Sequence, residues 1–415
     1  MMRRLKSHIS VLWITLLFAF SSGSPLSAQV QDITQDGESV RIPFQTHQDF
    51  IIIRATIFGN LELNLIFDTG AQHTILFNRI YTDIFGVEYD RRIPIYGADL
   101  SRELHALIAH NIPVKAAPSK PKNMSILVLE EDHSVLDQLL GKSVHGLLGA
   151  SFFADYIVEI NYRRNYIKLH HRSSFKQPGS NYHSFPIEVI NNKPYVKGNV
   201  RLNGNDRTPL RFLLDTGAGL PLLLHSNTHP DLEIPENAIS GQLGAGLGGY
   251  LKGYLSRVPG LELWDHQFGD IVTNFQDIDT MAIDFRDLNR EGIIGNQLLN
   301  RFHLYINYTD EVIHLRPERN FDEPFRYNKS GISVIAAGPE LNRFYIANVA
   351  EKSPAWEAGL RRGDRIVAFQ RWPSSFMSLR FITNRLERQE GNRIRVRVER
   401  EEDRQTHTFR LRELF

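Results

Sequence analysis

Two aspartates occupy the same local setting, in Phe67-Asp68-Thr69-Gly70-Ala71 and Leu214-Asp215-Thr216-Gly217-Ala218. Each ends an aliphatic run, so its carboxylate has buried surroundings, and each precedes a glycine that lets backbone approach closely. A carboxylate in such a place must be paired, hydrogen-bonded or protonated. If the two come face to face they cannot both ionise easily, and one keeps a proton while the other acts as base. The chemistry this allows is activation of a water for attack on a carbonyl, with the protonated partner supporting the developing oxyanion.

Other chemistries have weaker footing. The chain has 415 residues and no cysteine, which excludes thiol nucleophiles, thiolate metal sites and disulfides. Lys plus Arg minus Asp plus Glu is 48 − 47 = +1, too little charge to steer a polyanion, so no nucleic-acid partner is predicted. Gly244-Ala245-Gly246-Leu247-Gly248-Gly249 fits a dinucleotide-binding pattern, but neither a buried strand before it nor a helix after it is legible. A nucleotide-dependent oxidoreductase would rest on that run alone. His105, His110 and the pair His170-His171 read as surface or strand-edge histidines. No His-Glu-x-x-His spacing exists, so neither a metal nor an organic cofactor is predicted.

The aspartate motifs belong to a duplication. Asp215 follows Asp68 by 147 residues, and Gly292-Ile293-Ile294-Gly295 follows Gly146-Leu147-Leu148-Gly149 by 146. The match runs on through Ile160-Asn161-Tyr162 and Ile306-Asn307-Tyr308 to Leu169 and Leu315. Both copies read as β. Val196, Val200 and Leu202 alternate with polar residues, Asn203 to Asp206 makes a turn, and Leu210 to Leu214 returns. The first copy repeats this in Ile51 to Phe58, Gly59-Asn60 and Leu63 to Phe67.

These motifs resemble the aspartic peptidases of the pepsin and retropepsin type, over roughly residues 40 to 318. The shared-proton carboxylate pair is the known pattern of that family. The resemblance implies a mainly β fold. It consists of two homologous retropepsin-like β-barrel lobes forming one bilobal acid-protease unit, with Asp68 and Asp215 catalytic. It further implies that Thr69 and Thr216, beside Gly70 and Gly217, brace the two loops against each other, and that the aliphatic-aliphatic-Gly motifs cross behind them. Substrate-covering flaps are expected at Tyr96 and Gly97 in lobe 1 and in the Gly241 to Gly253 stretch of lobe 2, including Gly246 and Gly248. Ala71 and Ala218 stand where acid-acting relatives commonly carry Ser or Thr, which predicts a less acidic optimum.

Beyond Pro317 the order Ser353-Pro354-Ala355, Ala358-Gly359-Leu360 and Gly363-Asp364-Arg365-Ile366 resembles a PDZ domain, a small α+β unit. The resemblance places a peptide-carboxylate loop at Ser330-Gly331-Ile332, facing a helix from Met377 to Arg388, and implies a C-terminal peptide ligand. Ala368-Phe369-Gln370-Arg371 lacks the glycine many such domains carry, which reads as loop variation. The arginines from 393 to 404 alternate with acids, as on a solvated strand face.

At the N-terminus Arg3, Arg4 and Lys6 precede an apolar run from Ile9 to Phe20 and small residues to Ala28, the order of a secretory signal. The organisation expected is 1–28 signal peptide, 29–172 lobe 1, 173–183 linker, 184–318 lobe 2, 319–328 linker and 329–415 PDZ domain. The implied function is an exported, periplasmic or extracellular aspartic endopeptidase without a stable membrane span. Its partners are a peptide or protein substrate and a PDZ ligand. The alternative is a catalytically silent peptide-binding scaffold with protease-like lobes.

Overall fold

The Leu61–Phe67 strand, anchored by buried Leu63, Leu65, Ile66 and Phe67, carries Asp68 at its end. It pairs antiparallel with Phe50–Ile57 and parallel with Gly146–Leu148, which sets Phe67 opposite Leu148. In the second copy Thr208–Asp215 pairs parallel with Gly292–Gly295, setting Leu214 opposite Ile294. From there both copies continue in one order. Lobe 1 proceeds through Ile75–Leu76, Lys122–Leu129, Glu103–Ala116 and Tyr89–Tyr96. Lobe 2 proceeds through Leu222–His225, His266–Gln276, Gly249–Leu263 and Ile239–Gly246. Strand sense matches at each step through the first three pairings.

The structure is a computed structural model that describes residues 31–34, 37–97, 103–130, 135–202, 207–246, 249–278 and 290–415. The expected signal segment, the Asn203 to Asp206 turn and the flap candidate Gly248 lie outside these. Residues 32–415 form one compact unit.

The lobes are joined by strand pairing. Ile157–Asn161 of the first lies antiparallel to Phe302–Asn307 of the second, with Leu304 opposite Ile160, Tyr305 opposite Glu159 and Ile306 opposite Val158. Adding 146 to 158, 159 and 160 gives 304, 305 and 306, so Val158 faces the duplicate of Ile160, Ile160 that of Val158, and Glu159 faces its own duplicate. A pseudo-twofold axis therefore passes between Glu159 and Tyr305. That same axis must relate the two aspartate loops. One apolar core runs through both lobes, with Phe67, Phe152, Phe212 and Phe302 all fully buried in it.

The C-terminal residues form a separate sheet, in the order Ile332–Ala337, Arg343–Val349, Arg365–Phe369, Arg393–Arg400 and Asp403–Arg410, around their own core. Its helix spans Leu379–Leu386, shorter than the 377–388 read from the sequence. It starts where the Ser378 hydroxyl accepts the Phe381 N–H at 3.2 Å. Gln370 adopts φ +57°, supplying the left-handed turn for which a glycine was missing. The segment before this sheet is no free tether. Phe325 and Tyr327 are buried, the Arg301 guanidinium lies 3.8 Å over the Phe325 ring, and Tyr327 packs on Phe415. Among the described residues no helix is long and apolar enough to cross a membrane.

Candidate active site

Asp68 and Asp215 meet at the pseudo-twofold axis, and the glycines show how tightly. A Cβ at Gly70 would lie 2.5 Å from Asp215 Cγ, and one at Gly217 would lie 2.5 Å from Asp68 Cγ. Each glycine therefore leaves room for the other lobe's carboxylate, and an alanine at either would have to push that carboxylate aside. The downstream glycines have a matching reason. A side chain at Gly149 would strike the carbonyls of Ala71 and His73, and one at Gly295 those of Ala218 and Leu220. The paired-aliphatic strands thus run directly beneath the aspartate loops.

The threonines hold the loops together. Thr69 N–H donates to Thr216 Oγ1 at 3.1 Å and Thr216 N–H to Thr69 Oγ1 at 3.0 Å. Each hydroxyl then donates across to the other lobe, Thr69 to Leu214 O and Thr216 to Phe67 O, both at 2.8 Å. Both threonines are fully buried, so these four bonds form without competition from water.

Asp68 Oδ1 accepts the N–H groups of Gly70 at 2.7 Å and Ala71 at 3.0 Å. Asp215 Oδ1 accepts Gly217 N–H at 2.7 Å. Burial raises the pKa of Asp68 well above the usual carboxylate range, and the charge of Asp215 and its hydrogen bond raise it further. Burial also raises Asp215, but the hydrogen bond from Asp68, the Gly217 N–H, Arg290 and Lys193 all pull it down. Burial and the mutual repulsion of the two charges favour one proton shared by the pair.

A cavity of about 250 Å³ opens on the pair. Its lobe 1 wall is apolar, with Ile66, Ile75, Phe77 and Leu147, and Tyr96 and Gly97 stand at its rim. Tyr96 ends the Tyr89–Tyr96 strand, is partly exposed, and donates its hydroxyl to Glu103 Oε2 at 2.9 Å. Tyr96 and Gly97, at the end of this strand, thus line the same cavity as the two aspartates. In lobe 2, Gly246 pairs with Gly249 at the tip of the equivalent hairpin. The described glycines of the run, Gly244, Gly246 and Gly249, lie on paired hairpin strands rather than opening a helix.

Two residues of this cavity were missed in the sequence. Lys193 and Arg290 both line it, and Arg290, buried, is hydrogen-bonded to Tyr195. Ile52 lies opposite Ile66 and Tyr195 opposite Leu213, so Lys193 takes the place of lobe 1's Phe50. Arg290, 146 after Val144, takes the place of a valine. Comparing the copies for charge at equivalent positions would have found both. The histidine reading also needs correction. His170 ends its strand but turns inward, 2.7 Å from Glu159 Oε2, and buried His303 lies 2.9 Å from Glu159 Oε1.

In the C-terminal sheet Gly331 has φ +83° and abuts Ser353, whose hydroxyl caps the following helix by accepting Trp356 N–H at 3.3 Å. Ile332 N–H donates to Ser330 Oγ at 3.3 Å. Asp364 of the Gly-Asp motif, buried, accepts from Arg361 N–H at 2.9 Å and from Arg400 at 2.6 Å. The motif residues here are structural.

No curated protein matches the chain by sequence. Among solved structures, an aspartic proteinase from Irpex lacteus is similar at 12% identity and a TM-score of 0.41, covering 69% of this chain and 99% of its own. A PDZ domain family model matches residues 345–369, which lie inside the C-terminal sheet, and so the chain carries a PDZ domain.

Proposed function

We propose that the chain is an aspartic endopeptidase in which Asp68 and Asp215 form one intramolecular catalytic pair. The observation that carries this is the reciprocal fit of each loop's glycine against the other lobe's carboxylate. It places both acids on one small space bounded by backbone donors. In the mechanism this supports, the Asp215 carboxylate takes a proton from a water held between the acids. The resulting hydroxide oxygen adds to the peptide carbonyl carbon, while the Asp68 proton passes to the carbonyl oxygen. Collapse of the gem-diol then returns a hydroxyl proton to Asp68, and the proton on Asp215 goes to the leaving nitrogen. This releases an acid and an amine with both aspartates restored. Thr69 and Thr216 are positioning residues that keep the loops in register. The Tyr96 and Gly246 hairpins would exclude water when closed over substrate. Export rests on the residues up to Ala28, and N-terminal sequencing of the secreted protein would show cleavage there.

The test is cleavage of a random peptide library by the wild type, Asp68→Asn and Asp215→Asn. Each variant should lose essentially all turnover, because a pair acting as a unit does not lose activity by halves. A tight statine-type inhibitor should titrate one site per chain. Half-activity in single variants, or two sites, would point instead to independent acids. An inactive wild type that still binds peptides would favour the scaffold alternative.

A further inference from the structure

The two lobes cover each other's aspartate loops with different side chains. In lobe 1, Gln48 and Asp49 adopt φ +48° and +63°, a tight turn that sets His47 opposite Phe50. In lobe 2, Asn191 and Asn192 adopt φ +52° and +59° and set Ile190 opposite Lys193. Equal turns and equal registers make Lys193 the counterpart of Phe50. The Phe50 ring crosses to the other lobe, since a Cβ at Gly219 would lie 2.7 Å from its Cε2. Subtracting the 147-residue offset of the aspartate loops from 219 gives Gln72, so the same crossing brings Lys193 to Gln72 and its neighbour His73. All three line the aspartate cavity, and burial and then the charge of Lys193 lower the pKa of His73.

The consequence is an unbalanced charge. Arg290 is buried, hydrogen-bonded to Tyr195, and its charge acts on Asp215. Lys193 is half-buried and, among the described residues, has no hydrogen-bond or ion-pair partner. The described acids lining this cavity are Asp68 and Asp215, which carry one negative charge between them while they share a proton. Two cations against one negative charge leave one cation unbalanced, and a charge drawn out of water calls for a partner. The cavity wall nearby is Ile66, Ile75, Phe77 and Leu147, which suits an aliphatic stem. A short aliphatic chain ending in a carboxylate matches both features. The lobe 2 pocket has the opposite character, with Phe50 in the place of Lys193, above Gly219, Leu220 and Ile293. The two pockets share Phe50, Leu136, Asp215 and Gly217 and so form one cleft across the acids.

We propose that Lys193 is a specificity-determining residue that holds the carboxylate of a substrate Glu or Asp side chain beside the scissile bond, with Arg290 behind it. This rests on the peptidase reading above. The lobe 2 pocket takes an apolar side chain on the other side of the bond, so the enzyme cuts where an acidic and an apolar residue meet. A chain-terminal carboxylate has the same chemistry, but a cleft continuous across the acids favours the side chain of a peptide that runs on.

The full-length protein is given a random peptide library, and the products are read by mass spectrometry. Acidic residues should be enriched at one fixed position next to the cut. Peptides with Glu, Gln or Lys at that position are then compared, each as free acid and as C-terminal amide, at a pH that ionises Glu. Glu should exceed Gln about ten- to hundredfold in kcat/KM, the gain from a hydrogen bond between charged groups, with acid and amide equal. Lys193→Arg should keep the Glu-to-Gln ratio, Lys193→Met should bring it near one, and Lys193→Glu should turn the order toward Lys. Ratios within one variant cancel any change in the ionisation of the aspartates. Equal cleavage of Glu and Gln peptides by the wild type overturns the proposal. So does a ratio unchanged in Lys193→Met, or a dependence on the free terminus in place of the side chain. Independently of turnover, fluorescent Glu and Gln peptides should bind Asp68→Asn protein in the same order, and equal binding also overturns it. The peptidase reading fails separately, by Asp68→Asn cutting the library as the wild type does.

Discussion

Lys193 and Arg290 change what the aspartate pair does with pH. With one shared proton the pair carries one negative charge, and the two cations leave the cavity lining with an excess of one positive charge. Both cations lower the pKa of Asp215, the member that must be ionised to act as base. Their effect opposes that of Ala71 and Ala218, which withhold hydroxyl donors and so favour a higher range. Removing Lys193 by Lys193→Met raises the pKa of Asp215, so the acid limb of the pH–rate profile for kcat/KM should move to higher pH. The alkaline limb reports loss of the shared proton on Asp68 and should move less. An acid limb that stays in place in the variant would show that Lys193 does not act on the pair. Burial and then the charge of Arg290 lower the pKa of Lys193 itself, and Asp215 and Asp68 partly offset this.

At the scale of elements the critical junction is the strand pair Ile157–Asn161 and Phe302–Asn307. Glu159 lies buried at its centre and accepts from the Tyr166 hydroxyl at 2.6 Å, besides its contacts with His170 and His303. Burial alone would raise its pKa, but hydrogen bonds from His170, His303 and Tyr166 outweigh that and hold it well below the carboxylate range. A folded-state pKa below the unfolded one means the stabilisation is complete above the unfolded value and is lost as pH falls. Glu159→Ala strands three polar partners in the interlobe sheet and should cost about 3–5 kcal/mol at neutral pH, as for a broken buried charge network. The penalty should shrink below the ordinary carboxylate pKa, where Glu159 of the unfolded chain takes up a proton that the folded protein does not. Denaturant unfolding at pH 7 and pH 3 checks both statements.

Over the whole molecule, the PDZ domain closes one end of the cleft instead of hanging from a tether. Its contact with lobe 1 contains two acids. Burial, then the charge of Asp49, pushes Glu387 up to about 7, and burial raises Asp49 also. Raised folded-state values mean the docked arrangement is favoured while these groups are protonated and loses that share as pH rises through about 7. Hydrogen exchange at the Leu379–Leu386 helix and the Thr46–Phe50 turn should therefore speed up more between pH 6 and 8 than chemical exchange alone requires. Glu387→Gln should flatten that excess. Protection that follows only the chemical rate would show the acids play no part in docking.

Duplicated motifs made the lobes and the aspartates legible. Asp-Thr-Gly and the aliphatic-glycine strands are dictated by close backbone approach, a local demand that leaves the same residues in both copies. The PDZ domain was legible for the same reason, through turns that need Gly331, Gly359 and Gly363 in left-handed conformations. What depends on the meeting of distant segments was not. Lys193 and Arg290 look like ordinary surface charges until the register sets them at Phe50's and Val144's places. His170 and His303 become partners of one carboxylate only because the pseudo-twofold axis brings the two copies' strands together. The direction in which the PDZ domain faces was likewise decided by tertiary packing. Polar contacts such as Gln48 with Thr383 join residues 335 positions apart, and no local pattern in the chain records them.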